Sequence, residues 1–429
     1  MTAINATTFE RIGETVHAEK LPNGLTIYTV PRTGFSKKHA FFATNYGGAD
    51  RRFRLGGQWT DTPAGIAHFL EHKLFDTEDG NALSDLAANG ASPNAFTSNE
   101  MTAYYFECTE GFYDNLKILL EFVSVPYFTD ESVSKEQGII GQEIRMINDT
   151  PDSRAYYNFI KALYKYHPAR DTIAGTEKSI AQITAKTLYE CHKVFYNPAN
   201  MVLCVVGDVE PAKVGQIARE ALPEDGGEVP EKDYGGNETA APFMECIEEN
   251  MEVSMPIFMA GTKLLGRFRG DDYLKCELTG DLATGYLAGP SSPLYSRLYA
   301  DGLITGNFEV GLDMGRGLTV SIFSGESREP DKVVSAIKGG IQNTLKTGLD
   351  SERLARLKKK KTGQIIRSFN QFSHICSAQA EAYFAGASEF RRAEVLETVQ
   401  EEDIMDFIRE HLQPENFAMS LVKPVNKWA

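Results

Sequence analysis

The residues of this sequence with the clearest chemical potential are His68, Glu71 and His72, which lie in the five-residue stretch H-F-L-E-H. On a helix, residues four apart stack one turn above the other, so both imidazoles can face one cation. Glu71 lies close enough to the same face to hydrogen-bond a water on that cation. Two neutral imidazoles and a carboxylate base are the groups that a zinc hydrolase uses. The stretch therefore predicts a metal site with Glu71 as its base.

Structural histidines on a partly apolar helix are the alternative explanation for this stretch. The chain holds only eight histidines beside 59 acidic residues, so a chance H-x-x-E-H is an event on the order of one per cent. The order H-x-x-E-H is the inverse of the commoner H-E-x-x-H, which this sequence lacks. We favour the metal site on this count.

A third metal ligand is required, because a catalytic zinc usually takes three protein ligands and leaves one place for water. Residues 131–149 have the pattern of a helix in which Glu136 and Glu143 stand seven apart, hence two turns apart on one face. An acidic helical face is normally only solvated. The spacing alone therefore leaves both readings of these glutamates open.

The elements around these residues can be predicted from capping and periodicity. Asp61 or Thr62 as N-cap, with Pro63 near the first helical position, predicts a helix over 62–76. Neighbouring strands without strict strand–helix alternation favour an α+β fold, with helices covering a mostly antiparallel sheet. The other helices predicted in the first half span 80–89, 111–122, 131–147 and 153–165, and its strands span 25–30, 39–46 and 102–108.

A similar design closes both halves of the chain. Residues 195–209 and 411–424 each follow an amphipathic helix and contain a P-x-N turn and then an apolar strand. Two such matches predict a duplicated domain. We expect a zinc-binding catalytic domain over 1–222, an acidic linker rich in Gly and Pro over 223–240, and a homologous metal-free domain over 241–429.

Composition limits the class of protein. At 429 residues the chain exceeds what one core usually fills, and 42% hydrophobic with 24% charged residues is an ordinary globular composition. The formal net charge of −15 argues against nucleic acid or an anionic membrane as the main partner. The start lacks the pattern of a secretory leader, and the six cysteines are scattered without a C-x-x-C pair. We expect a soluble, cytoplasmic protein whose thiols are mostly buried and free.

Several segments together resemble the pitrilysin or insulinase family of zinc peptidases, the M16 or inverzincin family. The residues that carry this resemblance are H-F-L-E-H, E-Q-G-I-I-G-Q-E (136–143), G-A-S-P-N-A-F-T-S (90–98), H-P-A-R-D-T-I-A-G-T (167–176) and N-M-V-L-C-V-V-G-D-V (200–209). The match spans essentially the whole first half. It is most similar to the bacterial YmfH-like subgroup, whose chains have about this length.

The resemblance implies roles for particular residues. It implies one Zn²⁺ per chain held by His68, His72 and Glu143, with Glu136 as a supporting carboxylate. It also implies two homologous domains of the M16 peptidase/LuxS-like fold, forming half of a clamshell that closes on a peptide substrate against a second subunit. The residues that would pair with the substrate backbone lie on an edge strand: Asn94, Ala95, Phe96 and Thr97.

One departure from the family pattern concerns the oxyanion. Family members carry an arginine and a tyrosine seven residues apart in a second-half domain, in many as R-x-x-x-G-L-x-Y, which stabilise the oxyanion. In S-R-L-Y-A-D-G-L-I-T-G (296–306), Leu298 and Thr305 occupy those places. Arg297 and Tyr299 are close in sequence, but a shift of one residue turns a helical side chain by about 100°. A structural role is the better explanation for these two residues.

Two explanations of this departure are open. Either a related subunit without zinc ligands contributes the arginine and tyrosine in a heterodimer, or the chain acts alone with weakened oxyanion stabilisation. We favour the heterodimer. A different class of function, a non-catalytic subunit that presents peptides or acts as a scaffold, is the alternative to an enzyme. Such relatives generally lose ligands from H-x-x-E-H, whereas the motif is intact here.

Two further motifs lie in the second half. The run R-L-K-K-K-K-T (356–362) fits either a basic docking face for an acidic partner or an ordinary solvated helix surface, and the second reading is the simpler. G-P-S-S-P (289–293) predicts a loop that starts a helix. It lacks the glycine and lysine spacing of a phosphate-binding loop.

Overall fold

The computed structural model of the chain describes residues 3–315 and 317–425. The strands are β1 (Asn5–Phe9), β2 (Glu14–Lys20), β3 (Thr26–Pro31), β4 (Lys38–Thr44), β5 (Arg52–Leu55), β6 (Gln58–Asp61), β7 (Asp76–Thr77), β8 (Gly80–Asn81), β9 (Ser92–Thr97), β10 (Thr102–Cys108), β11 (Met201–Gly207), β12 (Glu231–Asp233), β13 (Cys246–Met251), β14 (Ile257–Gly261), β15 (Glu309–Met314), β16 (Thr319–Glu326) and β17 (Ala418–Pro424). The helices are α1 (Ile66–Leu74), α2 (Ala82–Ala88), α3 (Phe112–Ser124), α4 (Asp130–Asp149), α5 (Pro151–Leu163), α6 (Glu177–Ile180), α7 (Ala185–Phe195), α8 (Pro211–Ala221), α9 (Asp271–Ala288), α10 (Pro293–Ala300), α11 (Pro330–Thr347), α12 (Ser351–Ser368), α13 (Phe372–Phe384), α14 (Arg392–Thr398) and α15 (Glu401–His411).

The first sheet has the strand order β1-β2-β3-β11-β4-β10-β9. Its pairings are antiparallel except for that of β11 with β3. Every residue of β11 is buried, as expected of a central strand that is covered on both faces. β9 lies at the end of the order, and α1 packs against β9 and β10. The sheet therefore presents an edge strand beside the helix that carries the two histidines.

The second sheet repeats the design of the first. Its order is β13-β17-β14-β16-β15, and β17 is parallel to β13 and antiparallel to β14, just as β11 is to β3 and β4. A buried hydrogen bond also recurs. Thr44 Oγ1 donates to the carbonyl of Phe195, at the end of α7, and Thr262 Oγ1 donates to that of His411, at the end of α15, both at 2.6 Å. The predicted α+β class with two homologous repeats is confirmed.

The predicted secondary structure agrees with the structure at most elements but not at the start of α1. That helix begins at Ile66, because the chain extends through β6 to Asp61 and Thr62 donates its N–H to the carbonyl of Arg51. Asp61, Thr62 and Pro63 therefore do not cap it, and the N-cap is Gly65. The helix before the first P-x-N turn is α7, which Thr184 starts with a capping box.

The compact units of the structure do not follow chain order. One unit consists of the chain up to Ile144 together with Thr172–Tyr234 and Ile365–Ala393. The other unit consists of Arg145–Asp171, Gly235–Gln364 and the chain from Glu394 onward. As a result, α5 from the first half packs against β13, β14 and β17, and α13 from the second half packs against β4 and β11. Each half thus contributes one helix to the other repeat's sheet. The sequence limits 1–222, 223–240 and 241–429 remain a prediction.

The segment predicted as a linker contains ordered structure. β12 pairs with β5, and Lys232 within it reaches a buried carboxylate, with Nζ at 2.8 Å from Asp50 Oδ2. Tyr234 donates its hydroxyl to the other oxygen of Asp50 at 2.8 Å. Removing one partner of a buried ion pair typically lowers the stability of the folded state by several kcal/mol. This part of the segment is therefore firmly anchored.

The expectation about thiols agrees with the structure. All six cysteines are free, and Cys108, Cys191, Cys204 and Cys376 are buried. Burial raises the pKa of the Cys191 thiol to about 12, which keeps it protonated and unreactive. Across residues 3–315 and 317–425, no helix is both long enough and apolar enough to span a bilayer.

The burial of His39 on β4 predicts how the stability of the fold depends on pH. Its side chain is buried, and within the described residues neither ring nitrogen has a hydrogen-bond partner. Burial lowers the pKa of the ring to about 4, against an ordinary value of 6.5. The folded state therefore resists a proton that the unfolded state accepts. Stability contributed by the neutral ring is present above about pH 6.5 and is lost as the pH falls through about 4.

We expect His39→Leu to reduce this acid sensitivity. As the pH falls from about 6.5 to about 4, the free energy of unfolding of the unchanged chain should fall by up to about 3 kcal/mol more than that of the variant. Urea denaturation between about pH 7 and about pH 4, with a chelator present throughout, measures the difference. Parallel pH dependences for the two proteins would contradict the assignment to His39.

Candidate metal centre

The helix that carries the two histidines is fixed at its start by a close backbone approach. Gly65 adopts φ 96°, and a Cβ at this position would lie 2.5 Å from the carbonyl oxygen of Ala174. Only glycine fits both the left-handed conformation and the contact. All residues of α1 except His72 are buried, including the polar His68, Glu71 and Lys73. The helix therefore holds buried polar groups that need partners.

The third group comes from α4. Val133, Ile140 and Ile144 form the buried face of this helix. Glu136 lies four residues before Ile140 and Glu143 three residues after it, so both stand at the border of that face. The helix can therefore bury its apolar side and still direct two carboxylates toward α1.

His68, His72 and Glu143 converge on one point. His68 Nε2 lies 3.4 Å from Glu143 Oε1, and His72 Nε2 lies 3.5 Å from Glu143 Oε2. The two ring centroids are 4.5 Å apart. One donor atom from each of the three residues lies within 4.8 Å of the others. The structure thus brings together the three residues that the sequence suggested as metal ligands.

These distances fit a cation better than a set of hydrogen bonds. Two ligand atoms on a tetrahedral zinc with bonds of about 2.1 Å lie about 3.4 Å apart. The observed 3.4 and 3.5 Å are close to that value, whereas a good N–H···O bond is about 2.9 Å long. Two imidazoles with one carboxylate are also a donor set typical of catalytic zinc. The residues present therefore fit a zinc ion.

Glu136 holds the His72 ring from the side opposite Glu143. Its Oε1 lies 3.0 Å from His72 Nδ1, while its Oε2 lies 3.9 Å from Nζ of the buried Lys73, which also pairs with Asp76. A carboxylate on the second ring nitrogen fixes the tautomer that presents Nε2 to a metal. His68 differs, since its buried Nδ1 has no hydrogen-bond partner within residues 3–315 and 317–425.

Glu71 is oriented by the edge strand. Thr97 Oγ1 donates a 2.6 Å hydrogen bond to Glu71 Oε2, and Thr97 in turn pairs with Thr102 on β10. Glu71 itself is only 9% exposed. The bond occupies one carboxylate oxygen and so restricts the rotation of the group. Thr97, suggested by the resemblance as a substrate-binding residue, therefore also contacts the candidate base.

The other suggested substrate-binding residues lie on the same strand. Asn94, Ala95 and Phe96 pair with Tyr105, Tyr104 and Ala103 of β10. The N–H of Ala95 donates to Asn94 Oδ1 at 2.8 Å. β9 is the last strand in its sheet among the described residues. An extended peptide could add to this edge by main-chain hydrogen bonds.

The electrostatics of the centre favour positive charge. Burial acts to lower the pKa of His72, but the hydrogen bond with Glu136 and the charges of Glu71, Glu136 and Glu143 outweigh it, so the pKa is raised. The contact with the ring of His68 lowers the pKa of Glu143, against the opposing effect of burial. Three carboxylates beside one lysine therefore make a site that attracts a cation.

The residues considered for oxyanion stabilisation lie on and after α10. Leu298 is buried and has no hydrogen-bond donor in its side chain, and Thr305 accepts the N–H of Asn307. Arg297 and Tyr299 are both exposed on α10. The segment G-P-S-S-P (289–293) was predicted to start a helix, and α10 does begin there, with Ser292 as its N-cap.

Lys73 is the residue of the centre that the sequence did not reveal. It is 2% exposed and lies between the carboxylates of Glu136 and Asp76. Its charge offsets one of the three carboxylates around the histidines. A lysine inside a helix usually belongs to its solvated face, so only its place directly after His72 could have indicated this role.

Comparisons with known proteins give the family of the chain. The family model described as Insulinase (Peptidase family M16) matches residues 56–177, and that described as Peptidase M16 inactive domain matches 182–361. A Bacillus subtilis (strain 168) protein named uncharacterized zinc protease YmfH is 38% identical over 423 residues, which are 97% of this chain and 98% of that protein.

Solved structures give the same result for the fold. The crystal structure of an M16-like peptidase from Alicyclobacillus acidocaldarius superposes with a TM-score of 0.92 at 32% identity, covering 96% of this chain and 99% of that one. Pitrilysin superposes with a TM-score of 0.76 at 16% identity, covering 99% of this chain but 47% of that one. At that identity pitrilysin shows the fold alone.

The contact between Glu136 and His72 predicts an effect on metal affinity. Glu136→Ala should weaken zinc binding by about 10- to 100-fold, because the ring of His72 loses the partner that fixes its orientation. Competition with a chromogenic chelator measures the affinity. Glu131→Ala on an exposed turn of the same helix is the matched control and should leave it unchanged. Equal affinities of the Glu136 variant and the unchanged chain would remove the role given to Glu136.

Proposed function

The chain belongs to the insulinase family of peptidases, peptidase family M16, and from this premise we propose that it is a zinc metalloendopeptidase acting on peptides or unfolded segments. The observation that carries the proposal is the convergence of His68, His72 and Glu143 within 4.8 Å. The buried Glu71 beside them supplies a base. The family's enclosed chamber would admit extended chains rather than folded proteins.

The catalytic roles follow from the positions of the side chains. A zinc ion held by His68, His72 and Glu143 would lower the pKa of a water and polarise the substrate carbonyl. Glu71 would take the proton of that water and later give it to the leaving amine. Thr97 holds one oxygen of Glu71, so the proton would be taken by a carboxylate of fixed orientation. Glu136 would keep the ring of His72 in place.

Substrate binding is proposed at β9. An extended peptide would pair with the edge formed by Asn94, Ala95, Phe96 and Thr97, so register would come from main-chain bonds. The Asn94 carboxamide now bonds the N–H of Ala95. A substrate carbonyl could replace that carboxamide. Because Thr97 also contacts Glu71, the strand would set the distance between the scissile bond and the base.

The compartment and assembly are part of the same proposal. Six free cysteines suit a reducing compartment, and we place the protein in the cytoplasm. Leu298 and Thr305 leave the chain without the family's arginine and tyrosine. We therefore propose that a related subunit completes the site in a heterodimer.

Glu71→Gln tests the assignment of the base. We expect zinc content close to that of the unchanged chain, because Glu71 is not a proposed ligand, and a fall in peptide hydrolysis of at least about 100-fold. A quenched-fluorescence peptide library with metal analysis measures both. Glu78→Gln, an exposed glutamate just after α1, is the control. Chelator-sensitive hydrolysis that survives in the Glu71 variant would refute the role.

The assembly is tested by adding a partner. A related subunit that lacks H-x-x-E-H but carries the arginine and tyrosine should raise hydrolysis by about 100- to 1000-fold over the zinc-loaded chain alone. The same subunit with its arginine replaced by alanine should not. Full activity of the chain alone would exclude the heterodimer. A complex that binds zinc and peptide without hydrolysis would instead favour the non-catalytic presenting subunit.

A further inference from the structure

The second repeat contains a small cavity at the place that corresponds to the metal centre of the first. The cavity has a volume of about 190 Å³ and lies between α9, the loop after it, β15 and α12. In the first repeat, α1, β9 and α4 surround the metal centre. Because β15 ends the second sheet as β9 ends the first, the two sites have the same surroundings.

Residue positions along the helices support this correspondence. Glu143 and Gln364 each lie eight residues before the helix that follows, α5 or α13. Glu136 and Leu357 each lie fifteen residues before it. Gln364 and Leu357 both line the cavity. The positions that hold carboxylates in the first repeat therefore hold an amide and an apolar side chain in the second.

The position of Glu71 also has a counterpart. Glu71 bonds Thr97 of the edge strand β9, and Asp281 on α9 accepts the N–H of Leu312 on β15 at 3.3 Å. The other oxygen of Asp281 pairs with Lys361. Both carboxylate oxygens of Asp281 therefore have partners, and Asp281 does not supply an unpaired negative charge.

The charge of the cavity is the reverse of that at the metal centre. Its charged lining residues are Asp281, Lys360 and Lys361. Lys361 is neutralised by Asp281, whereas Lys360, within the described residues, has no carboxylate within 4 Å. Ser291 and Gln364 add neutral hydrogen-bond donors. In a chain with a formal net charge of −15, the lining of this cavity therefore carries a small local excess of positive charge.

We propose that this cavity binds a carboxylate of a peptide, with Lys360 as its charged partner and β15 as the adjoining edge. The carboxylate belongs to an acidic side chain or to a C-terminus, which offer the same chemistry. The inference rests on the repeat of the fold and on the lining residues. It does not depend on the proposed hydrolytic activity, because binding alone tests it.

The test compares four labelled peptides of one length. They contain either Asp or Asn at a central position and end in either a free carboxylate or an amide. Fluorescence anisotropy measures their affinity for the full chain carrying Glu71→Gln, both with and without a chelator. We expect tighter binding of the peptides that carry the recognised carboxylate. Which of the two carboxylates matters identifies the source.

Two variants assign the binding to the cavity. Lys360→Gln should weaken the preferred peptide by about tenfold, because it loses a hydrogen bond to a charged group, and should leave the Asn amide peptide unchanged. Lys359→Gln, the adjacent exposed lysine outside the cavity lining, is the matched control. Gly285→Leu should also block binding, since a Cβ at Gly285 meets open space beside the cavity and the helix gains a better former.

Three results would overturn the proposal. The first is equal affinity for all four peptides. The second is an equal loss in the Lys359 and Lys360 variants, which would indicate only a general field of positive charge along α12. The third is a carboxylate preference that disappears on chelation, which would place the carboxylate on the metal of the first repeat. Hydrolysis by the Glu71 variant would be seen separately as peptide cleavage, so failure of the proposed function has its own signature.

Discussion

The contact on which the first repeat depends is the meeting of α1 and α4 through buried polar groups. α1 buries His68, Glu71 and Lys73, and each of these groups would be costly to bury without a partner. Glu143, Thr97 and Asp76 supply those partners. Because the partners come from α4, from β9 and from β7 just after α1, the sheet edge and the second helix must be in place before the cluster is satisfied. The site and the local fold therefore stabilise each other.

Much of this centre could be predicted from the sequence because helical spacing is local. His68 and His72 are four residues apart, and Glu136 and Glu143 are seven apart. Each pair therefore lies on one face of any helix that contains it. The predicted start of α1 was wrong, and the reason is physical. Asp61, Thr62 and Pro63 have good capping chemistry, but pairing of β6 with β5 extends the chain there, and the contact of Gly65 with Ala174 fixes the turn. Such long-range contacts leave no local signal.

The exchange of α5 and α13 is a second feature that no local pattern reveals. Both helices span thirteen residues and follow a long helix at the corresponding point of their repeat. Amphipathic periodicity predicts that each buries one face, but it does not say against which sheet. Phe159, Ile160 and Leu163 of α5 share a core with Leu318 and Val320. The sheet against which each helix packs therefore stays undetermined by periodicity, even when every element is predicted correctly.

The two repeats show which parts of such a fold can change and which cannot. The bond from Thr44 to Phe195 recurs as that from Thr262 to His411, and in both repeats a threonine hydroxyl donates to the carbonyl at the end of a helix. The residues that decide the ion lie beside the edge strand of each sheet. At the positions of Glu143 and Glu136 the second repeat has Gln364 and Leu357, so the second cavity lacks those two carboxylates. One scaffold can therefore hold a site for a cation in one copy and a site for an anion in the other.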